Sequence, residues 1–403
     1  MDFRLRQVEK TVNEMQFIDL GAQQKRIRNS LENNIKAVLD HGQYVMGPEI
    51  QLLEEKLAES IKTSFALSCA SGTDALLLAL MAHNIGPGDA IFTTPFTFVA
   101  TGEVIRLLGA TPVFVDIDPQ TYNIDPSKLE QAIAALKSAN SNLHPLPRTS
   151  DIGRLRPRGL IAVDLFGLPS DYLRLDATVK NSGLFIIEDA AQSFGAEFQG
   201  KKACALAEIG CTSFFPAKPL GCYGDGGMCF TDDKKLYDIM KSLRVHGKGT
   251  NKYDNVRTGM NGRMDTLQAA ILLSKFEIFA EEVELRQTVA DRYHQLLLGL
   301  ETITLPYVPA GVKSVWAQYS ILAKDETHRS QLQAKLKAAD IPTAVYYPKP
   351  LHLQTAYASL GYSEGEFAIS EDCSRRIFSL PMHPYLEEKD QLKIAGIIAK
   401  NGK

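Results

Sequence analysis

The 403-residue sequence contains one tryptophan and almost no excess charge: 44 basic residues stand against 47 acidic ones, a net −3. That balance argues against bulk nucleic-acid binding, which needs a broad basic face, and leaves only a local basic groove open. Long hydrophobic runs are missing too. The longest, residues 75–82, falls far short of the roughly 18–20 residues that cross a bilayer. The opening MDFRLRQVEK lacks the apolar stretch of a secretory leader. The six cysteines, at 69, 204, 211, 222, 229 and 373, form no CxxC pair. These absences point to a cytoplasmic protein with reduced, buried thiols, no metal and no membrane partner. What is present is ordinary for a globular chain, 45% apolar and 23% charged residues. The length is enough for a sizeable core and for two domains.

From residue 27 the pattern alternates between helix and strand. Ile27, Leu31, Ile35, Val38 and Leu39 form a helical stripe that stops near Gly42. Short apolar segments at 65–69, 90–94, 112–116, 160–164, 184–188, 209–214 and 227–231 read as buried strands. Helical stretches separate several of them. Strands apolar on both faces and interleaved with helices imply an α/β fold, a mostly parallel sheet covered by helices. A long helical run from Arg263 to about residue 300 links this large domain to a smaller α/β domain. The division expected is an N-terminal segment 1–26, a large domain 27–262, and a linking helix with small domain over 263–403. Residues 139–159 break the rhythm with three prolines and four arginines, which reads as an exposed, solvated insertion.

Three segments carry candidate chemistry. SGTDAL at 71–76 places Ser71 and Asp74 in capping-box spacing before an apolar helix. A helix start offers free N–H groups and suits a phosphate, although an ordinary capped helix reads the same way. In IIEDAAQSFGA at 186–196, Asp189 ends a strand-like run, where ligands bind in open α/β sheets. A carboxylate buried there needs a partner, because desolvation disfavours its charged form. In TSFFPAKPLGCYGDGG at 212–227, Lys218 is pinned between Pro216 and Pro219. A lysine held at a hydrophobic strand end can lose its proton and act as an amine nucleophile. A phosphate cradle, a strand-end carboxylate and a pinned lysine are the three needs of pyridoxal phosphate.

With these segments, GQYVMGPE at 42–49 and MNGRMDTLQAA at 260–270, the chain resembles the DegT/DnrJ/EryC1/StrS family of pyridoxal-phosphate sugar aminotransferases. The resemblance runs from about residue 17 to residue 385. It implies fold type I, a homodimer with shared active sites, and transfer of an amino group from L-glutamate to a nucleotide-linked keto-sugar. The branch it resembles most acts on UDP-2-acetamido-2-deoxy-3-oxo-glucuronate, in surface-polysaccharide biosynthesis.

Site residues follow from the resemblance. Lys218 holds the cofactor and then moves protons. Asp189 pairs with the pyridinium nitrogen, and Gln192 lies near the ring hydroxyl. Gly72, Thr73 and Ser213 hold the phosphate, and Phe98 stacks on the ring. Asn261 reaches the phosphate from the other subunit, and Arg263 comes with it towards a substrate carboxylate. Where the uronate branch reads VHYP, this chain has VYYP at 345–348, so Tyr346 takes the histidine's place. His352 is expected to be structural or to touch sugar. Arg244 and His246 contact nucleotide phosphate or belong to a solvated loop. Three alternatives stay open at this point: another keto-sugar or a cyclitol as substrate, a sugar dehydratase, and a non-catalytic cofactor-binding regulator. The dehydratases carry histidine in place of the lysine, and Lys218 is present.

Overall fold

A computed structural model describes residues 15–251 and 253–401. The expected N-terminal segment 1–26 therefore lies partly outside the described residues. The first helix, Leu20–His41, starts before the stripe that opens at Ile27, with the Asp19 side chain accepting from Ala22 N at its cap. Left-handed Gly42 ends it, a position that favours glycine because no Cβ clashes there.

A seven-stranded sheet forms the centre. Its strands run, edge to edge, Phe65–Cys69, Gly227–Thr231, Ile209–Ser213, Phe185–Asp189, Arg156–Val163, Asp89–Thr93 and Thr111–Phe114. Four of the six neighbouring pairs are parallel, and the two antiparallel ones lie at the Phe65–Cys69 edge. The sheet is covered on both faces. One core packs Phe92, Leu160 and Phe230 against Leu53 and Leu129. The other packs Ile91, Ile161 and Ile187 against Leu76, Leu80 and Met240. Every residue of Asp89–Thr93 and Gly227–Thr231 is buried, which suits the apolar run at the middle of each.

The 32-residue helix Thr266–Leu297 is about 48 Å long. Its first half packs on the large sheet through Ala269, Leu272 and Phe279. Its last turns, Val289, Ala290, Tyr293 and Leu297, pack on a second core. There an antiparallel sheet of Ile303–Thr304, Tyr319–Ala323 and Ile377–Leu380 is covered by Glu326–Ala338 and Glu388–Asn401.

The stretch 139–159 is exposed over much of its length, as its prolines and arginines suggest, but it is pinned to the body of the protein at several points. His144, Leu146 and Leu155 are buried, and Arg156–Val163 already belongs to the sheet. Arg148 pairs with Glu366, and its N–H donates to Leu360 O at 2.7 Å. The apolar residues between the prolines supply the burial that a count of loop formers overlooks. Arg244 and His352 are likewise structural. Arg244 is 1% exposed and donates to Glu54 Oε1 (2.6 Å) and Ser68 O (2.7 Å), tying the helix Pro48–Ile61 to the edge strand. His352 Nε2 lies 3.0 Å from Glu371 Oε1 in the interior, while His246 is exposed on its loop.

Candidate active site

The carboxyl ends of the central strands converge where the chain leaves the sheet. Asp189 is the last residue of its strand and only 5% exposed. Thr101 Oγ1 donates to its Oδ2 at 2.8 Å, and Ala191 N donates to Oδ1 at 3.3 Å. Burial pushes this carboxyl above its ordinary range, with these hydrogen bonds and the Lys218 amine opposing. Two neutral donors leave a buried carboxylate that a protonated ring nitrogen would complete.

Lys218 follows the neighbouring strand Ile209–Ser213, on a turn closed by its own N–H donating to Phe215 O at 2.9 Å. Burial brings its ammonium down to about 8, and the Asp189 carboxylate works against that fall. A useful fraction of free amine therefore exists near neutral pH. Gln192 is buried and fixed from two sides: Phe166 N donates to its Oε1 (2.8 Å), and its Nε2 donates to the Tyr347 hydroxyl (3.1 Å).

Gly72 and Thr73 open the helix Gly72–Ala82, capped by Ser71 Oγ accepting from Asp74 N at 3.0 Å. This is the serine cap expected from the sequence. A Cβ on Gly72 would lie 2.6 Å from Ser213 Cβ, and one on Gly227 would lie 2.2 Å from Ser71 O. Helix start and strand end approach so closely that only glycine fits, leaving N–H groups and the Ser213 hydroxyl around one point. That cradle suits a phosphate. We expect Gly72→Ala to weaken pyridoxal phosphate binding by about tenfold or more, for an overpacking cost of about 1–3 kcal/mol. A titration of the cofactor into the purified variant checks it.

Phe98 is 54% exposed at the start of the helix Val99–Leu107, its ring 6.3 Å from that of Tyr347. Tyr346 sits beside Tyr347 (5.9 Å) and Phe17 (6.3 Å). Asn261 and Arg263 flank Gly262, whose carbonyl accepts from Ala70 N at 3.0 Å. They line a groove of about 530 Å³ with Val45, Ala70, Asp225 and Gln268. Among the described residues Arg263 makes no ion pair with Asp265, although both face that groove. One chain thus gathers Lys218, Asp189, Gln192, Gly72 and Ser213, while Asn261 and Arg263 line the groove that begins at Ala70, next to the Ser71 cap.

Thr101 and Tyr347 escaped the sequence reading. Thr101 lies one turn after the Phe98 stretch on the same helix, which its spacing could have suggested. In the VYYP segment attention falls on Tyr346, yet it is Tyr347 that meets Gln192.

The family model for DegT/DnrJ/EryC1/StrS aminotransferases matches residues 25–399, and the chain belongs to that family. It is a pyridoxal-phosphate-dependent aminotransferase of fold type I. A UDP-2-acetamido-2-deoxy-3-oxo-D-glucuronate aminotransferase of Pseudomonas aeruginosa is 46% identical over 93% of this chain and 96% of its own. A crystal structure of a family aminotransferase from Brucella abortus superposes with a TM-score of 0.89 at 49% identity, over 96% of this chain and 99% of that one. A Bacillus subtilis structure, NtdA with bound cofactor PMP, gives 0.84 at 27%, over 97% and 86%.

Proposed function

We propose that the protein transfers the amino group of L-glutamate to UDP-2-acetamido-2-deoxy-3-oxo-D-glucuronate, making an amino sugar for a surface polysaccharide such as an O-antigen. It works in the cytoplasm as a homodimer with shared sites. The observation that carries the reaction class is the Lys218 amine, softened by burial, on the turn after the strand next to Asp189. The similarity to the Pseudomonas aeruginosa relative supports the substrate. Among the described residues no helix is long and apolar enough to cross a membrane.

The cofactor, when bound, supplies an electron sink for the substrate carbon. The chain's part is to hold and move protons around it. Ser213 and the N–H groups of Gly72 and Thr73 bind the phosphate. Asp189 keeps the ring nitrogen protonated, held in place by Thr101. Gln192, fixed by Phe166 and Tyr347, orients the ring hydroxyl, and Phe98 covers the ring. With the cofactor in place, Lys218 Nζ would be the base that takes a proton from the substrate carbon and the acid that gives it back in each half-reaction. Asn261 completes the phosphate site across the dimer, and Arg263 with Tyr346 receives the sugar's carboxylate.

Exposed Tyr44, Val45 and Met46 support the assembly. Each is more than 40% exposed, and Val45 shares the groove of Asn261 and Arg263. Such apolar surface beside a polar groove suits an interface. The sharing of sites has a direct test. Lys218→Ala subunits mixed with subunits lacking both Asn261 and Arg263 side chains should regain activity, because one hybrid site is intact. Demonstrated subunit exchange without recovery would refute it. The function itself is tested by assaying UDP- and dTDP-linked keto-sugars for glutamate-dependent amination. Preference for a neutral sugar or a cyclitol would overturn the substrate, and no turnover with any ketone would favour a regulator.

A further inference from the structure

Behind the site two carboxyl groups meet with no cation between them. Asp164 and Glu188 are each 0% exposed, and their side chains lie within hydrogen-bond reach of each other. Asp164 Oδ1 accepts from Ser170 N and the Tyr172 hydroxyl, both at 2.9 Å, and Oδ2 accepts from Ser193 Oγ at 2.9 Å. Glu188 Oε1 accepts from Cys204 N, and Oε2 from Leu206 N at 2.9 Å. Every donor is neutral. The titratable groups facing the pair are Tyr172 and Cys204. Neither is a cation. Among the described residues no lysine, arginine or histidine bonds to either carboxyl. Two carboxylates in contact inside a dry core repel strongly, whereas one proton between them makes a hydrogen bond.

We propose that Asp164 and Glu188 share a single proton at neutral pH and act as positioning residues, a carboxyl clamp that fixes the loops around Gln192. The clamp reaches the site through three links. Phe166, whose N–H holds Gln192 Oε1, lies on the turn that Asp164 begins and that Asp164 closes through Ser170. Ser193, next to Gln192, is held by Asp164 Oδ2. Asp164 N also donates to Asp189 O at 3.1 Å, while Glu188 secures the 204–206 loop below. The significance of Gln192 and Asp189 rests on the cofactor site described above; the shared proton does not.

Burial pushes both carboxyls above their ordinary range, the matching direction. A carboxyl whose folded-state pKa is raised binds more protons folded than unfolded. The pair's contribution to stability is therefore greatest at low pH and declines as pH rises from the ordinary carboxyl range through the pair's raised range.

The test uses the full-length holoenzyme and infrared spectroscopy at neutral pH. An un-ionised carboxyl band is expected in the wild type and should vanish in both Asp164→Asn and Glu188→Gln, where an amide donor replaces the proton. Thermal unfolding from pH 5 to 8 should decline less in Asp164→Asn than in the wild type. A band that survives both substitutions, or an unchanged decline, overturns the shared proton. After cofactor removal, Asp164→Asn should rebind pyridoxal phosphate within about threefold of the wild type. Asp164→Leu, which takes the acceptor from Ser170 N, the Tyr172 hydroxyl and Ser193 Oγ, should bind it about tenfold more weakly or worse. Equal affinity in the Leu variant overturns the positioning role and leaves the proton standing. Should that variant not fold, Glu188→Leu makes the same comparison from the other side. A wild type that binds no cofactor would refute the cofactor site while the infrared result still stands.

Discussion

Lys218→Ala is expected to abolish turnover while leaving the protein folded. Its side chain makes no structural hydrogen bond or ion pair among the described residues, so truncation removes chemistry more than packing. The loss should reach at least the 10²–10⁴ typical of a positioned general acid–base, and more because the cofactor's covalent anchor goes as well. The purified wild type should be yellow, and glutamate should bleach it. The variant should lose the lysine-linked absorbance and the full reaction, although phosphate and ring contacts can still retain cofactor. Normal transamination by Lys218→Ala would remove the central claim.

The same lysine sets a pH dependence. Its ammonium falls to about 8 through burial, so the nucleophilic amine predominates above pH 8 and becomes scarce below it. Cofactor attachment to stripped enzyme should therefore slow about tenfold per pH unit below about 7, where the free amine falls in proportion to proton concentration. Stopped-flow absorbance between pH 6 and 9 reads this directly. Asp189→Asn should move the inflection downward, because the opposing carboxylate is then gone. An inflection near the ordinary lysine value would show that burial does not act on the amine.

How much of this was legible beforehand depended on whether a property is local. Gly227–Thr231 was readable to the residue, because a strand buried on both faces carries a run of apolar residues, here Met228, Cys229 and Phe230. The Ser71 cap was readable because capping is a matter of spacing over three residues. Lys218 and Asp189 stood out only as parts of a recognisable set; each alone is an ordinary lysine or aspartate. Tertiary partners were invisible. Nothing in the order of residues says that Arg244 reaches Glu54 across 190 positions, that Arg148 reaches Glu366, or that Tyr347 meets Gln192. The carboxyl pair is hidden for the same reason. Glu188 looked like a neighbour of Asp189, whereas its chemistry comes from Asp164 on the adjoining strand end.

Arg263→Ala should erase most of the preference for a charged sugar. A guanidinium matches a carboxylate with two parallel hydrogen bonds. Arg263 is half-buried in a groove and, among the described residues, unpaired with Asp265, so it is available for such a ligand. Tyr346, standing where histidine was expected, adds at most one neutral hydrogen bond. The wild type should therefore aminate a UDP-linked 3-oxo-uronate better than its uncharged hydroxymethyl counterpart. The substitution should cost about 1.5–3 kcal/mol on the charged substrate, the range of a charge-assisted hydrogen bond. That is about 10- to 150-fold in kcat/KM, with little change on the neutral one. Cofactor affinity should hold, because Asp189, Ser213 and Lys218 lie outside that groove. A purely structural arginine would behave differently, lowering both substrates by one factor or weakening the dimer. Either result would sink the carboxylate clamp, and with it the main support from the chain's own residues for a uronate substrate.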